Sequence, residues 1–410
     1  MFSKAYERQC DAVKIHCTDS GEHRRRALTL FSLALGSFCI GTSEFASMGI
    51  LQLFSESLHI DISSATNAIT AYAFGVVIGA PAVTLAAARM NRRSLLLALM
   101  LLFVCGNILS GLATNLGMFA AARFISGLPQ GAYFGAGAVV ASYIVGPGHG
   151  GKAFSLVMSG LTVATIFGSP LATFLGQHLG WRNTYFSVAG LGVIALITLF
   201  LWIPKTRSLD GGPIKQELGG LRKLSVWAMM LVAAIGVASI FAVYTFIGPI
   251  VTDVLKLEPR WIPLALAMFG LGMTAGNLFG GRLADGHPAL GILIGFGSAV
   301  VVLAVVALVG SSPVVLFPGL FFIGATMMTA IPTIQVRLTR FAPESPALMG
   351  AMNLAALNVA NAVGAWSGSL TIAAGMGALS AVWAGCALTL VGLTIFLLTL
   401  SKAPKLAPAQ

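Results

Sequence analysis

Two ionisable side chains stand inside long apolar runs. Glu44 lies in Gly41-Thr-Ser-Glu-Phe-Ala-Ser-Met-Gly-Ile50, and Arg123 opens Arg123-Phe-Ile-Ser-Gly127. A carboxylate at membrane depth costs roughly 2.5–3.5 kcal/mol on insertion scales, and intramembrane charges mark ion and proton pathways or pair with one another. The chemistry on offer is uptake and release of a proton at Glu44, with Arg123 as its counter-charge, directly or through water. The competing reading is a buried ion pair that only locks two helices. Polar and aromatic residues at helical spacing accompany both charges. Ser37, Gly41, Glu44 and Met48 share one face, and Arg123, Gln130 and Phe134 share another. Asn358 and Asn361, with Asn353, add amides further along. These faces are expected to line one substrate cavity; for each residue alone, ordinary helix packing competes.

The elements that must position these residues follow from composition. The chain has 410 residues, 57% hydrophobic and 9% charged, against about 25% charged in soluble domains. The expected fold is an all-α integral membrane protein. Runs of about 20 apolar residues give twelve spans: 27–53, 66–88, 94–113, 117–143, 153–177, 183–203, 225–250, 261–283, 288–310, 314–336, 347–372 and 376–400. At about 1.5 Å rise per residue, Glu44 and Arg123 both fall roughly 10–14 Å below the outer surface.

With both termini cytoplasmic, 20 of the 24 Lys and Arg residues fall in inner segments, and only Arg182, Lys256 and Arg260 in outer loops. That bias sets the orientation. It also explains the net charge of +11 without nucleic acid. Residues 1–26 form a polar cytoplasmic tail and 401–410 another. The linker 204–224, with Gly211-Gly212-Pro213, divides a six-helix half at 27–203 from a second at 225–400. Arg89-Met-Asn-Arg92-Arg93 and Gly281-Arg-Leu-Ala-Asp285 occupy matching places in the two halves, as do RFISG at 123–127 and LFFIG at 320–324. Two parallel repeats of this kind are the plan of many secondary transporters. The repeat positions matching the two charges, near Thr245 and Leu320, are uncharged, which favours a coupling site present once over an architectural pair.

Span 5 carries small residues every four positions, Gly160, Ala164, Gly168, Ala172 and Gly176, and then Pro170 within the stripe. Such a stripe lets a neighbouring helix approach closely. Gly146-Pro-Gly-His-Gly-Gly-Lys-Ala153 imitates a phosphate loop, but Ala153 replaces the required Ser or Thr and no strand precedes it. No CxxC pair occurs, so neither a zinc site nor a disulfide framework is suggested.

On these residues the chain resembles the major facilitator superfamily, and within it the twelve-helix drug–proton antiporter branch of arabinose-efflux-permease-like exporters. GTSEF at 41–45 is similar to the helix 1 signature, whose acid implies proton coupling at Glu44. RFISGLPQGAYFGAGAVVA at 123–141 is similar to the helix 4 signature, which implies proton transfer at Arg123. Gly160, Gly168 and Pro170 resemble the antiporter motif, associated with export. The gating-loop motif between helices 2 and 3 survives only as Arg89, Arg92 and Arg93, with its glycines and aspartate lost; Asp285 keeps the acid in the second copy. Gln130 stands where related exporters often have a histidine.

The resulting expectation is a monomeric exporter in a bacterial inner membrane that exchanges a drug-, sugar- or nucleoside-like molecule for protons. It is no enzyme, and the proton gradient replaces any cofactor; no metal is expected. An uncoupled facilitator or sugar importer of the same fold is the alternative, and a membrane sensor that moves nothing is a remote one.

Overall fold

The computed structural model describes residues 2–60, 62–258 and 261–402. The side chains of residues 2–22, Arg260, and the C-terminal tail with Lys405 lie outside the described residues. Every regular element among the described residues is helical, as bilayer-spanning backbone requires unless it closes a barrel. Twelve long helices follow in order: α1 (Phe2–Gly49), α2 (Ile62–Ala86), α3 (Arg92–Leu112), α4 (Leu116–Val145), α5 (Gly150–Val163, continued by Ser169–Leu179), α6 (Trp181–Trp202), α7 (Leu224–Gly236, continued by Ala238–Tyr244), α8 (Ile262–Gly286), α9 (Pro288–Val309), α10 (Pro313–Phe341), α11 (Pro346–Ala373) and α12 (Ser380–Lys402).

Eleven of these are long and apolar enough to cross a membrane on length and composition alone. The exception, α4, is 30 residues long but holds Arg123, Pro129 and Gln130. It can afford them because neighbouring helices, not lipid, surround it: from Ser126 to Ala138 every residue but Leu128 is buried. α11 is similarly enclosed, with 78% of its apolar window buried. Lipid-facing positions lie elsewhere, at exposed Phe31, Phe74, Leu101, Phe200, Val301 and Leu398.

Local signals set the helix starts. Asn91 caps α3 by accepting from Arg93 N at 3.1 Å, and Asn115 caps α4 by accepting from Met118 N at 2.9 Å. Pro288, Pro313 and Pro346 open α9, α10 and α11, where a missing N–H loses nothing. Two expected spans are broken instead of continuous. α1 stops at Gly49, and a separate short helix runs Leu51–Ser57. α7 is interrupted at Val237 and is followed by a π turn at Ile250–Val254. The linker also has structure, with a helix at Ile214–Leu221.

The two halves meet along α5–α8, α2–α11 and α4–α11. Gly135 faces the Ala347 carbonyl so closely that a Cβ would not fit. Ala80, Ala351 and Ala355 form a small buried cluster of their own. Asn277 of α8 donates to the Ser155 carbonyl of α5 at 2.7 Å. At the helix ends, Asp285 accepts from the backbone N–H of Gly151 at 2.7 Å and of Lys152 at 3.2 Å, a carboxylate on the positive end of α5. These contacts seal the end of the bundle that bears Arg89, Lys152, Arg282 and Arg340, here called the basic end. Arg92, Arg93 and Arg337 depart from the expected surface role there: α10 runs on to Phe341, so Arg337 is buried between the rings of Phe341 and Phe396, each 5.2 Å from its guanidinium.

Candidate functional site

α1 presents two chemistries on two faces. Residues 43 and 47, one turn apart, face the first half; residue 44, about 100° round the helix, faces the second. Ser43 donates its hydroxyl to Asn107 Oδ1 of α3 at 2.7 Å. Ser47 exchanges a hydrogen bond with the Tyr185 hydroxyl of α6 at 2.9 Å. Arg123 closes this network: Nη1 donates to the Ser43 hydroxyl at 2.9 Å and Nη2 to the Ser43 carbonyl at 3.0 Å. The guanidinium is fully buried. It lies 4.3 Å from the centre of the Tyr72 ring and 5.4 Å from that of Tyr185, so aromatic faces supply part of the electrostatic stabilisation a carboxylate would give.

Of the direct or water-mediated pairing that their matching depth allowed, Glu44 and Arg123 do not form the direct one. The neighbour of Glu44 is Gln130, two turns along α4, whose Nε2 donates to Oε2 at 3.0 Å. It is the only hydrogen bond to Glu44 among the described residues.

Glu44 and Gln130 border a cavity between the two halves. Asn358 of α11 and Thr165 of α5 add polar atoms to its wall. The rest is apolar: Met158, Met273 and Met328, the rings of Phe45, Phe241 and Tyr244, and aliphatic side chains of α5, α7, α10 and α11. Phe45 and Tyr244 touch across the halves with ring centres 5.7 Å apart. The space is narrow, and the centre of a water-sized sphere can move through about 30 Å³ of it. No lysine or arginine borders it.

Of the expected cavity residues, the structure brings Gln130 and Asn358 to this space beside Glu44 and leaves the others out. Ser37 is buried and donates to the Leu33 carbonyl at 3.1 Å, the common fate of a helical serine. Gly41 packs on Ala164 and Leu161 of α5. Phe134 is buried edge-on against Tyr133, ring centres 6.1 Å apart. Met48 is half-buried against the core, and Asn361 is half-buried one turn beyond Asn358. For the residues of α1 and α4 the reason is geometric: a face read at spacings of three and four spans more arc than a narrow cavity covers.

The small-residue stripe of α5 lies against α1. Gly160 meets the Ala34 carbonyl and Gly168 the Thr42 hydroxyl, each too close for a Cβ. Between them, Ala164–Gly168 is a π turn, which accommodates the missing N–H of Pro170 just beyond. Met158, Leu161 and Thr165 on the same stretch line the cavity, so the irregular turn borders the site. In the gating loop, Arg89 is exposed. Arg92 and Arg93 are buried and turn back on the first half, Arg92 to the Ala88 carbonyl at 3.4 Å and Arg93 to the Phe200 carbonyl. Asp285 of that set spans the halves, accepting from Gly151 and Lys152.

The sequence reading did not single out Ser43, Asn107, Tyr72 or Tyr185 around Arg123, nor the three cavity methionines. Tyr185 carried a usable signal, since a phenol within a span needs a polar partner, here Ser47; Tyr72 meets Arg123 through its ring alone. Methionine carries none, because it serves equally as core filler.

A two-half bundle of twelve helices with an ionisable cavity at its centre is the architecture of a membrane transporter. The family model for the Major Facilitator Superfamily matches residues 33–365, and the chain belongs to that family. The Escherichia coli K12 inner membrane transport protein YdhP is 36% identical over 368 residues, covering 88% of this chain and 94% of that protein. A chloramphenicol resistance protein of Streptomyces lividans is 32% identical over 372 residues, covering 90% and 95%. The crystal structure of the superfamily transporter FucP, in the outward conformation, superposes with a TM-score of 0.72 at 14% identity, covering 91% of this chain and 99% of that one.

Proposed function

We propose that the protein exports a small amphiphilic molecule from the bacterial cytoplasm in exchange for protons, by alternating access, with Glu44 as the proton carrier. The observation that carries this reading is the setting of Glu44: one carboxylate at the cavity between the halves, held by a single neutral amide, with no basic side chain on the cavity wall. Proton and substrate can then compete for the same group, which couples their movements. Arg123 acts as a positioning residue, fixing α1 one residue before Glu44.

The cavity also argues for a substrate class. Gln130 gives its N–H to Glu44 and Asn358 gives its N–H to the Leu354 carbonyl at 3.1 Å. Both amide oxygens, Gln130 Oε1 and Asn358 Oδ1, are left without partners. With Glu44 they make a wall of acceptors set in apolar surface, and unpaired buried acceptors favour a ligand that brings donors. The substrate is an apolar, drug-like molecule with hydroxyl, amide N–H or ammonium groups; a sugar would bury too many hydroxyls against methionine and phenylalanine. A relative named for chloramphenicol resistance supports the same direction and class. The basic end faces the cytoplasm with both termini, and the chain acts as a monomer without cofactor or catalysis.

The test is a tolerance panel in an efflux-deficient bacterial host, with chloramphenicol, ethidium and tetraphenylphosphonium as probes. Tolerance to the donor-bearing first two, absent for the donor-free third, is expected. Uptake of the probes, or no change in tolerance to any, contradicts the reading.

A further inference from the structure

A second site lies at the basic end, away from the central cavity. Arg25, Arg26 and Thr29 of α1, Arg93 of α3, Tyr143 of α4 and the end of α6 through Lys205 enclose a recess of about 700 Å³. Four cations, from α1, α3 and the segment that follows α6, converge there, and no carboxylate lines it among the described residues. Arg93 is the telling member. It is buried, its guanidinium lies 5.2 Å from the centre of the Phe200 ring, and its Nε has no partner. No carboxylate stands within ion-pair distance of it among the described residues. Asp210 lies in the adjoining hollow that Arg93 and Lys205 also line, but it is engaged by the Asn91 amide at 2.6 Å. Even with Asp210 set against one of them, the cations outnumber the carboxylates around the recess among the described residues.

Next to it, sharing Phe200, an apolar hollow of about 400 Å³ runs between α3 and α6, lined by Leu97, Leu101, Leu196 and Ile197. Leu101, Ile197 and Phe200 are exposed, as lipid-facing residues are. The order of surfaces along α3 and α6 is thus cations at the helix ends and an apolar hollow one to two turns into the span.

We propose that this composite surface binds one anionic phospholipid, its headgroup among Arg25, Arg26, Arg93 and Lys205 and an acyl chain in the α3–α6 hollow. Basic pockets at the ends of membrane helices recognise such headgroups. The apolar hollow distinguishes a lipid from free phosphate, which has no use for it. The inference does not depend on the transport cycle.

Trp202 borders the recess and reports on it. Full-length protein is placed in mixed micelles with phosphatidylglycerol brominated on its acyl chains, or with the matching phosphatidylcholine. The Trp202 contribution is the part of the quenching lost in Trp202→Phe. At that site the anionic lipid is expected to be enriched about tenfold, and the preference to vanish in the Arg25→Ala, Arg26→Ala, Lys205→Ala triple variant. Lys205→Gln alone, an exposed change, reduces the preference and guards against misfolding of the triple. Equal quenching by both lipids overturns the proposal. So does displacement of the brominated lipid by inorganic phosphate where chloride of equal ionic strength has no effect, which assigns the recess to a free anion.

Discussion

Arg123 binds both the hydroxyl and the carbonyl of Ser43, at 2.9 and 3.0 Å, and so grips α1 at the residue before Glu44. Glu44 and Arg123 are joined through the backbone, not through an ion pair. The arginine fixes where the carboxylate stands, and the carboxylate is left to the cavity.

Ser43→Ala removes an acceptor from a buried guanidinium and a donor from Asn107. It is expected to destabilise the folded protein by about 1–3 kcal/mol, read as a lowered melting temperature in detergent, while Ser43→Thr, which keeps the hydroxyl, avoids most of the loss. Arg123→Ala is expected to reach the membrane yet transport without coupling to pH. Its absence from the membrane would make Arg123 a structural brace only.

Gly160→Val places a branched side chain against the Ala34 carbonyl of α1. Overpacking of this kind costs about 1–3 kcal/mol, and here it also parts two helices that border the cavity. Transport should fall much further than membrane abundance. Normal transport at normal abundance would show that the α1–α5 approach is dispensable.

Asp285→Asn removes the charge at the start of α5 and leaves one amide oxygen to accept where two carboxylate oxygens did, from Gly151 and Lys152. A carboxylate on a helix N-terminus contributes about 0.3–1 kcal/mol, so the sealed state should lose about two- to fivefold in population. A cysteine placed at Ser155, on a background without native cysteines, reports this by faster labelling from the basic end. Unchanged labelling would mean that the α2–α11 and α4–α11 contacts alone hold the seal.

How much of this was legible in the sequence follows from the physics of each feature. The helix count and the two-half plan follow from apolar runs long enough to cross a bilayer, and even the charged α4 kept its place in the count. Glu44, Gln130 and Asn358 were legible because a polar group in a span needs a reason. The break after Gly49, the interruption of α7 and the burial of Arg337 were not, because hydropathy measures length and polarity but not where a backbone bends. The partner of Arg123 was missed because a serine is small enough to be invisible beside a glutamate in the same motif.

At the loop ends, Lys223 donates to Glu344 at 2.6 Å and ties the linker to the α10–α11 turn. This hydrogen bond holds the Glu344 carboxyl below its ordinary value. A lowered folded value means a contribution that is complete above the unfolded carboxyl pKa of about 4.3 and is lost as pH falls through the folded one. Both side chains are partly exposed, so the contribution is under about 1 kcal/mol. Glu344→Gln should lower the melting temperature slightly at neutral pH, and the difference from wild type should shrink toward zero in acid. A constant difference across that range would assign the effect to packing.

The most direct test of the central claim compares wild type and Glu44→Gln, purified and reconstituted in liposomes with an imposed pH gradient, using labelled chloramphenicol as cargo. Wild type should move it against its concentration gradient and release protons in return. The variant should be as stable or more so, since it no longer buries a carboxylate, and should lose about tenfold or more of the gradient-driven transport while exchange without a gradient persists. Transport by Glu44→Gln that still follows the pH gradient at the wild-type rate would contradict the account and move proton coupling to another residue.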